Sequence, residues 1–182
     1  MLLSSLLHRL SMNNMNEIKY LVMDVDGTLT DGKIYMGNDG EMLKAFNIKD
    51  GYGIHDIAIP RGIIPVIITG RSSRILKNRC KELGIDLLFQ AVSNKTDKLK
   101  EVTQNLNTVA YIGDDLNDLP CMLAIKDAGG IIGSPKNATA KVRDISDFVS
   151  KFDGGEGAVR EFIEYITERK NSHMIISCNS FE

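Results

Sequence analysis

The chain has 182 residues, 43% hydrophobic and 25% charged, enough to bury the core of one α/β domain and ordinary for a globular protein. A net charge of −2 leaves no basic footprint for nucleic acid or an anionic membrane, and no apolar run approaches spanning length. The three cysteines, Cys80, Cys121 and Cys178, have neither a disulfide framework nor metal-ligand spacing, which fits a reducing cytoplasm.

Residues 1–16 stand apart as an N-terminal extension. Leu2, Leu3, Leu6, Leu7 and Leu10 form a short amphipathic stripe without a clear signal-peptide pattern, and Met12 and Met15 are alternative starts. No role is assigned to it. From Ile18 to Met23 the chain is apolar and β-prone, then ends abruptly in Asp24-Val25-Asp26-Gly27. Such a run reads as a buried parallel strand, and ligands of open α/β sheets sit beyond the carboxyl ends of strands. Extended geometry sends the two acid side chains to opposite sides, so one carboxylate and the other residue's backbone carbonyl can face the same ligand. An Asx-turn with its glycine is the plain structural alternative.

Two short β-prone runs, Lys33 to Met36 and Glu41 to Phe46, flank Gly37-Asn38-Asp39-Gly40 and predict a hairpin that could hang over this strand end as a flap. The polar, glycine-bearing stretch Asn47 to Gly53 leads into a helix near Ile54 to Ile59, stopped by Pro60 and Gly62. A second strand, Ile64 to Ile68, ends in Thr69-Gly70-Arg71. The helix after it shows Ile75, Leu76, Cys80 and Leu83 on one face and stops at Gly84. Leu87 to Phe89 is a short third strand, and Ser93-Asn94-Lys95 opens a helix with Leu99, Val102 and Leu106 inward. Val109 to Ile112 is a fourth strand, ending in Gly113-Asp114-Asp115-Leu116-Asn117-Asp118. A fifth strand falls within Ala124 to Ile132. The last helix runs from Gly157 to about Thr167, with Val159, Phe162, Ile163 and Ile166 as its apolar stripe and a loosely ordered tail beyond residue 168. The alternation implies an α/β fold built on a doubly wound, mostly parallel sheet, with its domain over residues 17–168.

In such a sheet the ends of the first, second and fourth strands converge on one crevice. It would gather several carboxylates, the Thr69 hydroxyl and Lys95. Carboxylates packed this closely repel, and a hard cation relieves the repulsion. Mg²⁺ fits an all-oxygen set, and the absence of His and Cys from the cluster disfavours Zn²⁺. Each piece alone has a plainer reading: Thr69 as a helix cap, Lys95 as a solvated helix-start lysine, Asp114 to Asp118 as acids matching a helix dipole. Taken together, those readings need several coincidences at the right strand ends.

Asp24-x-Asp26-Gly-Thr, then Thr69, then Lys95, then Gly-Asp114-Asp115-x-x-Asp118 resembles the four motifs of the haloacid dehalogenase superfamily of phosphohydrolases. The resemblance implies Asp24 as nucleophile forming an aspartyl-phosphate, and Asp26 as general acid/base whose backbone carbonyl also binds the metal. It implies Asp114 as the further Mg²⁺ ligand, Asp115 and Asp118 as groups orienting the metal waters and Lys95, and Thr69 and Lys95 as holders of the transferring phosphoryl oxygens.

The spacings Gly32 to Thr69 and Arg71 to Lys95 leave no room for a cap domain, so the crevice needs another closure, of which oligomerisation is the obvious one. Thr30-Asp31-Gly32, Phe46-Asn47-x-x-Asp50-Gly51-Tyr52-Gly53, Thr69-Gly70-Arg71, Arg79-Cys80, Ser93-Asn94-Lys95 and Gly154-Gly155-x-Gly157-Ala158-Val159-Arg160-Glu161 are similar to the capless 3-deoxy-D-manno-octulosonate 8-phosphate phosphatases, from about Ile18 to about Ile166. That group implies a Mg²⁺-dependent homotetramer with the hairpins at its centre. It also implies substrate contacts from Asp26, Lys95, Asn47, Ile48, Lys49, Asp50, Gly51, His55, Gly70, Arg71, Arg79 and Asn117. His55 stands where many relatives have arginine, and Thr28 replaces a common valine, a change expected to be harmless. Arg71 rather than glutamate tilts the substrate towards the eight-carbon sugar acid. The competing readings are a nine-carbon sialic-type acid 9-phosphate as substrate, a broad phosphatase, and a non-catalytic tetramerisation module.

Overall fold

The computed structural model describes residues 17–178. The amphipathic extension 1–16 and the last residues of the expected tail, 179–182, lie outside them. The first strand, β1 (Tyr20–Met23), is short and wholly apolar apart from Tyr20, and it sits at the middle of a six-stranded sheet. Its neighbours are β4 (Ile64–Ile68) and β6 (Val109–Ile112), each in parallel register with it: Val22 lies opposite Val66 on one side and Tyr111 on the other. Outward come β5 (Leu87–Phe89) beyond β4, and β7 (Ile131–Ser134) then β8 (Phe148–Val149) beyond β6, all parallel. The strand order therefore reverses at β1, which places the switch-point crevice at the tips of β4, β1 and β6. Pro65 is tolerated inside β4 because pairing with β5 starts only at Val66.

Alternation along the strands splits the core in two. Leu21, Met23, Ile67 and Ile112 face one helix layer, where Leu76, Cys80, Phe162 and Ile163 pack. Val22, Val66, Ile68 and Tyr111 face the other, with Leu99, Met122, Ile125 and Val142. The first layer holds α1 (Ile48–Tyr52), α2 (Arg74–Leu83) and α6 (Ala158–Cys178); the second holds α3 (Lys95–Val102), α4 (Leu119–Asp127) and α5 (Ala140–Ile145). A β-hairpin of β2 (Tyr35–Gly37) and β3 (Gly40–Leu43) stands apart from the main sheet, and the described residues contain no cap domain.

Several boundaries differ from the sequence reading. The hairpin is shorter than its two apolar runs, with a register shift between Tyr35 and Met36. The helix expected near Ile54 begins at Ile48. Asn47 caps it, its side-chain oxygen accepting from Lys49 N–H at 2.9 Å, and the helix continues through a π turn (Gly53–Ala58) and a 3-10 turn (Ile59–Arg61) before Gly62 stops it. Gly51 lies inside the helix, not in a loop, with the Arg79 guanidinium and Leu83 packed close over it: a Cβ there would meet Arg79 Nη2 at 2.4 Å and Leu83 Cδ2 at 3.2 Å. The fifth strand, β7, shares only Ile131 and Ile132 with its predicted window, because α4 runs on to Asp127 at the window's start, and α5 and β8 had no expectation. The last helix continues past Thr167 to Cys178, where the sequence reads as tail.

Candidate active site

The site is built by the turns that follow β1, β4 and β6. Asp24 extends β1 by one bond, its N–H donating to Ile112 O at 3.0 Å, and the carboxylate is 5% exposed. The chain then folds back sharply: the amides of Thr28, Leu29 and Thr30 all donate to Val25 O, at 3.2, 2.9 and 3.0 Å. Gly27 carries this turn with a φ of +98°, and a Cβ there would lie 2.1 Å from an Asp114 carboxylate oxygen. The β1 turn thus rests directly on the acid at the tip of β6.

Lys95, the first residue of α3, reaches back under the crevice. Its ammonium lies 2.6 Å from Asp24 Oδ1 and 2.7 Å from Asp118 Oδ1, almost wholly out of water. Asp118 is saturated. Oδ1 also accepts the Tyr111 hydroxyl at 2.7 Å, and Oδ2 accepts the amides of Asp114 at 3.1 Å and Asp115 at 3.2 Å. Burial alone would lower the Lys95 pKa, but Asp24 and Asp118 outweigh it and hold the ammonium charged. Burial, reinforced by Asp118 and opposed by Lys95, pushes Asp24 up to about 6. Burial, with Asp24 and Asp118 beside it, pushes Asp114 up to about 7. Among the described residues Asp24, Asp114 and Asp118 offer oxygens within 4.8 Å of one another. With Asp118 spent on Lys95, Tyr111 and the backbone, Asp24 and Asp114 are the pair left for a cation. A buried and a half-buried acid that resist joint ionisation, with no nitrogen or sulfur donor among them, fit a hard divalent ion such as Mg²⁺.

Asp24, Asp26 and Asp114 open into a cavity of about 130 Å³. Thr69, Gly70 and Arg71 line it from the end of β4, and Asp115 and Asn117 from the turn after β6. The Thr69 hydroxyl accepts the Arg71 amide at 3.4 Å, and the Asp115 carboxylate accepts the Leu116 amide at 2.7 Å. The remaining expected substrate residues are elsewhere in the chain. Asn47, Asp50, Gly51 and Arg79 line a narrow cleft beside Phe46. Asn47 Nδ2 donates to Gly155 O at 3.0 Å, Asp50 Oδ1 accepts the Arg160 amide at 2.7 Å, and Arg79 pairs with Glu82 at 2.8 Å. Ile48, Lys49 and His55 are exposed, His55 beside Asp56 at 3.3 Å. None of these seven lines the Asp24 cavity of its own chain.

Sequence reasoning missed four groups here. Thr28, expected to be harmless, is fully buried and its hydroxyl donates to Asp114 Oδ1 at 3.0 Å. Tyr111 reads only as a strand residue, yet its hydroxyl anchors Asp118. Glu41 and Lys44 of the hairpin reach Asp26, Arg71 and Ser73. No local pattern marks either: a charged pair three residues apart on a hairpin normally reads as solvated surface.

A parallel sheet whose central strand tips present Asp24, Asp26 and Asp114 over a buried lysine defines a hydrolase of the haloacid dehalogenase superfamily. A Legionella pneumophila hydrolase of that superfamily shares the fold at a TM-score of 0.79 and 31% identity, covering 94% of this chain and 93% of its own. No family model matches the chain. The chain is 43% identical over 153 residues to the 3-deoxy-D-manno-octulosonate 8-phosphate phosphatase KdsC of Escherichia coli K12, covering 82% of this chain and 79% of that one. It is 37% identical, at a TM-score of 0.79, to the Moraxella catarrhalis 3-deoxy-D-manno-octulosonate 8-phosphate phosphatase, solved with a magnesium ion, a phosphate ion and KDO, covering 93% and 97%. The chain belongs to the 3-deoxy-D-manno-octulosonate 8-phosphate phosphatase family.

Proposed function

We propose that this protein is a Mg²⁺-dependent phosphatase that converts 3-deoxy-D-manno-octulosonate 8-phosphate to the free sugar acid and phosphate. The observation that carries the reading is the Lys95 ammonium held between Asp24 and Asp118 at the base of a cavity walled by Asp26, Thr69 and Asp114. Asp24, Asp114 and the backbone carbonyl of Asp26 would hold the ion, which when bound neutralises the clustered acids and draws charge from the phosphoryl oxygens. Lys95 fixes the rotation of the Asp24 carboxylate. An Asp24 oxygen attacks phosphorus, the ester P–O bond breaks, and Asp26 gives a proton to the departing sugar oxygen. Water then attacks phosphorus and passes a proton to Asp26, and the Asp24–phosphorus bond breaks to release phosphate. Thr69 and Lys95 stabilise the phosphoryl oxygens, with Asp115 and Asp118 holding the surroundings in place.

Arg71, half-exposed at the cavity mouth, offers a planar fork to the sugar carboxylate, and Gly70 and Asn117 shape the same wall. We further infer a homotetramer. The hairpin exposes four large apolar side chains, Ile34, Met36, Met42 and Leu43, on and beside its two short strands. The capless cavity lacks a cover, and Asn47 to Gly51, His55 and Arg79, out of reach of their own cavity, would serve a neighbour's. Among the described residues no helix is long and apolar enough to cross a membrane. Buried, unpaired Cys80 and Cys121 support a cytoplasmic setting.

The test is phosphate release with Mg²⁺ over a panel of 2-keto-3-deoxy sugar-acid phosphates and p-nitrophenyl phosphate. The expected result is the highest kcat/KM on the eight-carbon substrate. A preference for a nine-carbon 9-phosphate would move the assignment there, and flat rates would indicate a broad phosphatase. Equal trace turnover by parent and Asp24→Asn would leave only an assembly module.

A further inference from the structure

The hairpin does more than stand at the cavity rim. Lysine is rarely buried unless it is paired, and its usual course is to carry the ammonium out to water. Lys44, just past the end of β3, does the opposite. Its side chain is 4% exposed, and the ammonium ion-pairs with Asp26 Oδ1 and, at 3.1 Å, with Glu41 Oε1. Glu41 is fixed in turn. It accepts the Ser73 hydroxyl and stands 3.7 Å from the Arg71 guanidinium. Ser73 is no loose end either, since it caps α2 by accepting the Leu76 amide at 3.2 Å. A chain of contacts thus runs from the rigid start of α2 through Ser73 and Glu41 to Lys44, and ends on one oxygen of Asp26.

We propose that Lys44, with Glu41 as its counter-ion, is a positioning residue that aims the Asp26 carboxyl at the departing sugar oxygen. The proposal rests on the phosphatase reading above. Asp26 sits in the turn after β1, one-fifth exposed, and its other oxygen, Oδ2, lies 3.7 Å from Arg71 Nε, beyond hydrogen-bond range. With Oδ1 clamped, the carboxyl cannot rotate freely, and Oδ2 is left facing the cavity as the oxygen that exchanges the proton. The balance of the step is unchanged: the P–O pair stays on the sugar oxygen, the proton comes from Asp26, and Lys44 neither gains nor loses one. A latch that only held the hairpin down would need Glu41 and Ser73 alone. The desolvated ammonium on Asp26 is what that simpler role leaves unexplained.

The experiment compares two leaving groups. A sugar alkoxide cannot depart without a proton, whereas p-nitrophenolate departs unaided, so in the step that forms the aspartyl-phosphate poor aim of Asp26 is felt only with the first; kcat/KM reads that step alone, while the later attack of water, in which Asp26 takes a proton, is common to both substrates. Lys44→Met is expected to lower kcat/KM on 3-deoxy-D-manno-octulosonate 8-phosphate by roughly 30- to 100-fold, while kcat/KM on p-nitrophenyl phosphate changes by no more than about threefold. Lys44→Arg should recover most of the sugar-phosphate rate, and Glu41→Gln should show the same split, smaller. An equal fall on both substrates, or no fall on either, overturns the proposal while leaving the phosphatase reading intact. A parent chain inactive on every sugar-acid phosphate overturns both. If circular dichroism shows Lys44→Met unfolded, the ratio of the two rates in Glu41→Gln and Lys44→Arg decides in the same way.

Discussion

Lys95 Nζ lies 2.6 Å from Asp24 Oδ1, in a contact almost sealed from water. The same ammonium neutralises Asp118, so its removal strands two buried carboxylates at once. Lys95→Met is expected to abolish turnover and to destabilise the metal-free protein by about 3–5 kcal/mol, the scale of breaking a buried ion pair from one side. Urea unfolding with and without Mg²⁺ measures this. A stability equal to the parent's would mean that Asp118 does not depend on the lysine.

Acid groups inside the metal-free protein give its stability an unusual dependence on pH. Asp24 and Asp50 are pushed up to about 6 and Asp114 to about 7, from an ordinary 3.8, in each case chiefly by burial. Between about pH 4 and about pH 7 the folded chain therefore holds protons that the unfolded chain has released. Stability from these groups falls as pH rises through that window and levels off above it. Mg²⁺ binds the deprotonated acids, so the rise in Tm on adding it should be largest above about pH 7 and fade towards pH 5. Thermal melts in EDTA and in saturating Mg²⁺ across this range test the sign, and a Mg²⁺ effect independent of pH would contradict it.

Asp50 ties α1 to α6. Its carboxylate is 1% exposed, accepts the Arg160 amide at 2.7 Å, and also bonds the backbone at Gly157 and Val159. It caps a helix that does not belong to its own stretch of chain. Asp50→Ala should cost about 1–2 kcal/mol of unfolding free energy, and Asp50→Asn less. The readout is the urea midpoint at unchanged m-value.

Gly154 presses on the turn that follows Asp24. A Cβ there would lie 1.8 Å from Gly27 O, a backbone atom that cannot swing aside. Gly154→Ala should displace the turn, costing about 1–3 kcal/mol and lowering kcat/KM by roughly tenfold or more. Kinetics on the folded fraction separates the two effects. Unchanged turnover would show that the turn does not feel its neighbour.

Met36 and Met42 on the hairpin are 61% and 64% exposed in one chain. Met36→Lys with Met42→Lys should lower the mass seen by light scattering from that of four chains, and kcat/KM should fall with it as the shared cavities open. A parent that runs as one chain would remove the tetramer from the account.

The three strand tips and the polar residues they present were legible because short motifs follow strongly apolar strands there, and strand boundaries such as Ile64 to Ile68 and Val109 to Ile112 match the observed ones. The start of α1 was not legible. Its glycines read as breakers, while Gly51 serves the close approach of Arg79, a contact formed across the fold. The end of α4 was mistaken for the start of a strand because Ala124 and Ile125, short of a full helical period, cannot be told from the opening of a buried strand. Lys44 and Thr28 were missed for a shared reason. Each acquires its meaning from a partner distant in sequence or across a turn, Asp26 for one and Asp114 for the other.

The strand that leads into Asp24 is made before the other strands of the sheet, yet its hydrogen-bonding neighbours are β4 and β6, and the turn after it is braced by Gly154 and Gly155. A nascent chain therefore has no working half. Until synthesis has passed Gly155, Asp24 lacks its brace even where both flanking strands are already made, so competence waits on the far side of the fold. Truncation from the C-terminal side into the 150s should silence the protein even though every reacting group is still present.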